Sequence, residues 1–233
     1  LGFKAGKLLD DPDTLGVAKL TADMITEGTK TRDSKAIAEQ IDFIGGSLNA
    51  HTGYDFTLIS GASLSNEKDS LFDLFSDVLL NPTFPQDELS LKKKNWLESL
   101  KLQRTQPSFL LEERFRKVVF GGHPYGIVSP HPEMITSISQ SDLINFHKSH
   151  YIPNDAILLV LGDFNKENIK PLIKKSFGSW KSGNRETVKL PHTPDHKGRK
   201  IYLVNRPGSV QTSLKLGNLG IKKTDPDYFR IQV

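Results

Sequence analysis

The stretch that most constrains this chain is Leu15 to Thr29, L-G-V-A-K-L-T-A-D-M-I-T-E-G-T. Val17, Leu20 and Met24, joined by Ala18, Thr21 and Ile25, recur at helical spacing. They predict one amphipathic helix whose apolar face must be buried against a second layer. Asp13 or Thr14 can cap its start, and Gly28 stands where a C′ residue would end it. Lys19, Ala22 and Asp23 fall at i, i+3 and i+4, so they share one side of that helix.

The rest of the chain alternates between helical and strand patterns. Phe3 to Lys7 reads as a strand end, and Leu8 to Asp13 as an acidic turn. Thr31-Arg32-Asp33-Ser34 offers a second cap, followed by Ile37, Ile41 and Ile44 on a helix that stops at Gly45-Gly46. Ser47 to Thr52 and Asp55 to Ala62 read as two strands turning at Thr52-Gly53-Tyr54-Asp55. Asn66 to Leu80 is helical, with Leu71, Leu74, Phe75, Val78 and Leu79 as its buried stripe, and Asn81-Pro82 ends it. A long helix spans Gln86 to about Gln106, and another spans Phe109 to Phe120. Ser139 caps a helix to His150. Ala156 to Gly162 is an apolar strand and Lys166 to Phe177 the helix after it. Residues 181–198 read as a polar linker. Ile201 to Val204 and Gln211 to Leu216 are expected strands of a second unit, and Thr224-Asp225-Pro226-Asp227 begins a further helix. Hairpin strands with runs of helices argue for α+β rather than a doubly wound sheet. The organisation is therefore a domain over 1–180, a linker over 181–198 and the start of a similar domain over 199–233.

Composition excludes several functions. No apolar run approaches 18 residues, so no membrane span is expected. The absence of cysteine rules out disulfides and thiolate metal sites. A net charge of +4 raises nucleic acid as a partner. The lysines are dispersed, however, and Lys92-Lys93-Lys94 reads as a solvated helix face, so no nucleic-acid binding is expected. Leu1 falls in mid-pattern, which suggests a processed or missing N-terminus.

The frame of the opening helix carries a family resemblance. Residues 16–29 follow, position for position, the pattern G-L-A-H-F-L-E-H-M-x-F-x-G-T of the pitrilysin/insulinase family of inverted-motif zinc peptidases. Gly45-Gly46-Ser47-Leu48-Asn49-Ala50-His51-Thr52 resembles that family's G-G-x-x-N-A-x-T strand. Asn81-Pro82-Thr83-Phe84, Phe120 to Gly126, His150-Tyr151-x-Pro153-Asn154, Val160 to Asp163 and Pro207 to Thr212 resemble further family segments. The resemblance implies a mixed, largely antiparallel sheet covered by helices, a metallopeptidase-like (LuxS/processing-peptidase-like) domain.

The chemistry departs from the family's H-x-x-E-H. Lys19 stands at the first histidine, Ala22 at the glutamate and Asp23 at the second histidine. The third ligand, a glutamate about 76 residues on, falls at Ser99; Glu98 is adjacent but rotated by about 100° on the helix. A zinc site needs several donors with lone pairs, and an ammonium has none. Without a base, no proton can be taken from a metal-bound water. The degenerate positions Lys19, Ala22, Asp23 and Ser99 thus imply neither a catalytic residue nor a metal site, and no cofactor in this chain. Lys19 and Asp23 are expected to form an i, i+4 ion pair filling the metal's space.

Branches of this family pair a zinc-bearing subunit with one that has lost the metal. The resemblance therefore implies a non-catalytic subunit or inactive domain that supplies chamber wall and peptide binding to a zinc-bearing homologous partner. Peptides or unfolded segments would be the substrate. Leu48, Asn49 and Ala50 are the peptide-binding candidates, because strand addition uses backbone groups and survives loss of zinc ligands. A structural core-type subunit without a peptidase role is the alternative. The resemblance favours a bacterial periplasm or cell envelope. Ordinary packing is expected of His147 and His150, solvation of His192 and His196, a loop-shaping role of His123, and a charged surface of Glu112-Glu113-Arg114. His51 could face either way.

Overall fold

The computed structural model describes residues 1–184 and 188–231. Residues 185–187 of the expected linker and 232–233 of the expected second domain lie outside the described residues. Two compact units are present: Leu1–Ser99 with Pro130–Val188, and Leu100–Ser129 with Lys189–Val233.

The first unit is α+β. Its antiparallel sheet has the order β1-β3-β2, with β1 Gly2–Phe3, β2 Ser47–Thr52 and β3 Thr57–Ala62. Register pairs His51 with Leu58 and Gly2 with Leu58. The hairpin closes through the Gly53 amide on the Phe56 carbonyl at 2.8 Å. Helices follow as α1 Val17–Asp23, α2 Ser34–Phe43, α3 Lys68–Leu80 and α4 Gln86–Arg104. After α5 (Pro107–Phe120), which belongs to the second unit, come α6 Pro132–Ser137, α7 Gln140–His150 and α8 Lys166–Phe177. Leu20, Met24 and Ile25 from α1 and its following turn enter one core with Leu74, Val78, Leu79, Phe84 and Leu89. Each such side chain contributes roughly 1.5–3 kcal/mol by leaving water.

Caps explain several boundaries. The Asp33 carboxylate accepts from the Ala36 amide and opens α2. Ser139 and Asp142 form a reciprocal capping box on α7. At α1 the expected caps are wrong. Gly16 is the N-cap, at φ +106°, and carries no side chain. Asp10 supplies the acceptor instead: its Oδ2 takes the Gly16 amide at 2.8 Å and its Oδ1 the Ala18 amide at 2.7 Å. The 3-10 turn Lys7–Leu9 brings that carboxylate back to the helix start. Gly28 is not a C′ residue either. Met24 is the C-cap, and Gly28 bridges Asp33 while Thr29 bridges Pro82.

The second unit contains α5 Pro107–Phe120 and α9 Tyr228–Ile231. Pro107 opens α5 at its first turn, where its missing N–H costs nothing. Side chains of residues 196–215 contact α5. His196 meets the Val119 carbonyl at 2.9 Å, Lys215 pairs with Glu112, and the Arg114 guanidinium lies 5.2 Å over the Tyr202 ring.

Three expected strands do not form. Ala156 to Gly162 makes only an isolated bridge, Ile157 to Gly2. Ile201 to Val204 and Gln211 to Leu216 pair with nothing among the described residues. Their apolar, β-branched composition favours a strand, but a strand needs a hydrogen-bonded neighbour. The triple lysine is also not a plain solvated face. Lys92 pairs with Glu27 at 2.8 Å, and Lys93 donates to the Thr136 and Ile138 carbonyls at the end of α6.

Candidate functional site

The four positions that the family pattern singles out all lie in the first unit. Three are on α1, whose inner face is sunk in the core: Ala18 and Leu20 are buried, and Thr21 is fully so. Ala22 is 2% exposed, so this position faces packed atoms rather than an open cleft. Lys19 and Asp23 emerge beside it, one turn apart, with about a third of each side chain exposed. Their side chains form an ion pair.

α4 contributes the facing wall. Trp96 places its ring 5.2 Å from the Lys19 ammonium, a cation–π contact. The same ring covers the start of α1: a Cβ on Gly16 would lie 2.7 Å from the indole. Glycine is therefore required at position 16 both for its positive φ and for this approach. Ser99 lies three residues beyond Trp96, next along the same side of α4, and is exposed; Glu98 is exposed too. Lys19 is thus held between a carboxylate and an indole.

Below α1 runs a buried hydroxyl chain. Thr52 Oγ1 lies 3.4 Å from the Ala18 carbonyl and 2.8 Å from Thr57 Oγ1, which donates to the Ala5 carbonyl at 2.8 Å. Tyr151, at the end of α7, is buried against Phe3 with ring centroids 4.6 Å apart. Burial pushes its phenol above the ordinary tyrosine value, and the nearby Asp23 carboxylate adds to that. These hydroxyls tie the sheet to α1; none of them is open to solvent.

The donor set does not fit zinc. Lys19 offers an ammonium already engaged by Asp23, and Ala22 offers no donor. No group of three or more His, Cys, Asp or Glu among the described residues is arranged to hold a metal ion.

The peptide-binding candidates sit on β2, which is an edge strand. Leu48 is 8% exposed and belongs to the core, Asn49 is exposed, and Ala50 is half-buried. Of the three candidates, Asn49 offers an exposed side chain and Ala50 a partly exposed one. His51 is exposed.

The histidines fall into packing roles. His147 Nε2 meets the Leu79 carbonyl at 2.7 Å, and burial pulls its pKa down to about 4. His150 stacks on Phe146 at 4.5 Å. His123 Nδ1 accepts from the Tyr125 amide at 3.1 Å and shapes its loop. His196 is not simply solvated, since it holds the Val119 carbonyl. Nor is Glu112-Glu113-Arg114 a bare surface: Glu112 binds Arg116 at 2.8 Å and Lys215, and Glu113 binds Arg104 at 3.4 Å.

Two anchors of the site escape sequence reasoning. Asp10 is six and eight residues from the amides it holds, beyond the reach of any capping pattern. Arg32 binds Asp73 at 2.6 Å and also Asp77, while Thr29 donates to Asp77 at 2.7 Å. This network fixes the loop after α1 to α3. The only sequence signal was a cluster of polar residues between helices.

Comparison with known proteins agrees with this architecture. The family model described as Insulinase (Peptidase family M16) matches residues 1–130, and that described as Peptidase M16 inactive domain matches residues 137–233. The chain belongs to peptidase family M16. It is 26% identical over 219 residues to the uncharacterized zinc protease YmxG of Bacillus subtilis, covering 93% of this chain and 52% of that protein. It is 27% identical over 188 residues to a probable mitochondrial-processing peptidase subunit beta of Arabidopsis thaliana, covering 80% of this chain and 35% of that one. The crystal structure of a peptidase M16 inactive domain from Pseudomonas fluorescens superposes with a TM-score of 0.76 at 26% identity, over 83% of this chain and 47% of that one. The chain spans between 35% and 52% of the length of these relatives.

Proposed function

We propose that this chain is a non-catalytic member of its peptidase family, lending wall and peptide-binding surface to a zinc-bearing homologous subunit. The observation that carries the reading is the Lys19 ammonium, paired with Asp23 beneath Trp96 on the face that the family uses for its ligands. A cation there opposes a metal ion by charge and offers it no lone pair. Ala22, closed into the core, leaves no room for a base. Zinc chemistry is therefore assigned to the partner and none to this chain.

The edge position of β2 supports the peptide-binding part. Its outer backbone groups can take an extended chain as an added strand, and Leu48, Asn49 and Ala50 are the residues concerned. Residues 1–180 would form the peptidase-like domain, 181–198 the linker and 199–233 the start of the second domain.

The test is peptidase activity and zinc content of the full-length protein, alone and mixed with a homologue bearing H-x-x-E-H. Cleavage by the mixture with one zinc per pair, and by neither sample of this chain alone, is the expected result. Zinc at stoichiometry and cleavage by this chain alone would sink the reading. An inactive mixture that still assembles would favour a structural core-type subunit.

A further inference from the structure

The phase of β2 within its sheet decides which of its backbone groups face outward. Ala50 stands opposite Ile59 of β3. The Ile59 amide donates to the Leu1 carbonyl at 2.8 Å, and the Ile59 carbonyl accepts from the Leu1 nitrogen at 2.8 Å. Ile59 therefore uses its backbone on the side away from β2, and Ala50 exchanges no bond with it. The hairpin end agrees. Gly53 donates to the Phe56 carbonyl, so alternation leaves Thr52, Ala50 and Leu48 with N–H and C=O groups turned to the edge that no described strand occupies. Asn49 and His51 turn theirs to Ser60 and Leu58.

The side chains alternate in step. Leu48 is 8% exposed, Thr52 7% and Ala50 half-buried, all on the inner face. Ser47, Asn49 and His51 are exposed on the outer face. The inner margin is apolar and incompletely covered: α2 packs on β2, and its Ile41 joins Ala50 among the partly buried side chains at the border of the core. The outer face beside the edge is polar. Ser60 stands behind Asn49, and the apolar Leu58, behind His51, is one strand further in.

An antiparallel strand on this edge bonds to Ala50 through the residue opposite it, whose side chain then falls on the inner face. The two residues flanking it fall on the outer face. Alanine is the smallest side chain on the inner face of β2, so burial there is left for an apolar group of the added strand to complete.

We infer that the β2 edge selects an extended segment of alternating apolar and polar residues, with its apolar side chains beside Leu48 and Ala50 and its polar ones beside Asn49 and His51. This rests on the peptide-binding reading above and names the class of peptide.

The experiment measures fluorescence anisotropy of the whole chain with two labelled peptides of one composition, Ser-Val-Ser-Val-Ser-Val-Ser and Ser-Val-Val-Ser-Ser-Val-Ser. The alternating peptide is expected to bind about tenfold tighter or more, because it alone places every valine on the inner face. Ala50→Pro removes an N–H that the sheet does not use. It should abolish binding yet melt higher than Asn49→Pro, which removes a donor to β3. Equal binding of the two peptides, lost in Ala50→Pro, would overturn the alternating class and leave strand addition at β2 standing. Binding untouched by Ala50→Pro would overturn β2 as the surface. Failure of both peptides would remove the peptide-binding reading together with this one. A melt for Ala50→Pro as low as that for Asn49→Pro would overturn the assignment of the outward groups.

Discussion

Asp10→Ala tests what holds α1 in place. The seven-residue helix is too short to be stable by itself, and its N-cap glycine provides no acceptor. Two of its initial amides, those of Gly16 and Ala18, are satisfied by one carboxylate at 2.8 and 2.7 Å. Loss of one good cap costs about 0.5–2 kcal/mol, and an unsatisfied buried donor about 1–3 kcal/mol. With both donors only partly buried, we expect about 2 kcal/mol for the alanine variant at neutral pH. For a chain of this size that lowers the melting temperature by roughly 4–8 °C. The pH dependence adds a second signature. Burial pushes the Asp10 carboxyl up to about 6, against hydrogen bonds from Ala18 and Gly16 and the charge of Lys7 that pull it down. The folded state therefore holds a proton, between about pH 4 and 6, that the unfolded state has released. Wild-type stability from this group is greatest at the acid end and is lost as pH rises through 6, by up to about 3 kcal/mol. The alanine variant lacks that slope, so its deficit against wild type should be larger at pH 4 than at pH 7. Circular-dichroism melts at both values suffice. A melting temperature unchanged within a degree, or a deficit that grows with pH, would refute the reasoning.

His147→Gln should expose the opposite slope. The folded-state pKa of about 4 lies below the ordinary 6.5, so wild-type stability from His147 is full above pH 6.5 and falls as pH drops toward 4, by on the order of 3 kcal/mol. The Gln variant should therefore keep only the Asp10 trend, losing stability from pH 4 to 6, and flat melts would count against both assignments. Arg32→Met strips a cation from Asp77, whose side chain is 11% exposed. Burial raises that carboxyl, but hydrogen bonds from Thr29, Arg32 and Asn81 more than offset it and hold it below the ordinary value. Denaturant unfolding should show a loss of about 2–3 kcal/mol at pH 7 that shrinks as pH falls into the carboxylate range. An equal loss at both ends would locate the effect in packing instead.

Legibility followed the range of the interaction. Local patterns placed α2, α3, α7 and the β2–β3 hairpin, because caps, apolar stripes and a turn are written within a few residues of where they act. The family frame placed Lys19, Ala22, Asp23 and Ser99. What failed was nonlocal. Asp10 acts across a turn, Lys93 caps the end of a helix through a carbonyl 45 residues on, and Glu27 takes Lys92 from α4. The strands expected at Ile201 and Gln211 failed for a related reason: composition states a preference, while the pairing partner decides the outcome.

On the non-catalytic reading, the same contacts would let the frame of α1 persist without zinc ligands. α1 is held by the Asp10 carboxylate, by Thr52 at the Ala18 carbonyl, by the Trp96 ring over Gly16, and by the buried Leu20, Met24 and Ile25. None of these is a ligand position, so the ligands could change without loss of the fold. Restoring them should be hard for the same reason. Lys19→His and Asp23→His replace partly exposed side chains and should be tolerated. Ala22→Glu must put a carboxylate where 2% of the alanine is exposed, which costs several kcal/mol unless the charge is met. Ser99→Glu supplies a third donor at an exposed position of α4, next to Trp96 on the same side. The four-fold variant should therefore melt well below wild type in chelator and recover only if zinc binds, because binding to the folded state alone stabilises it. The readout is the melting temperature with and without zinc, beside the Lys19→His, Asp23→His pair as control. A four-fold variant as stable as wild type in chelator would show that the space at Ala22 is still open and would refute the packing argument.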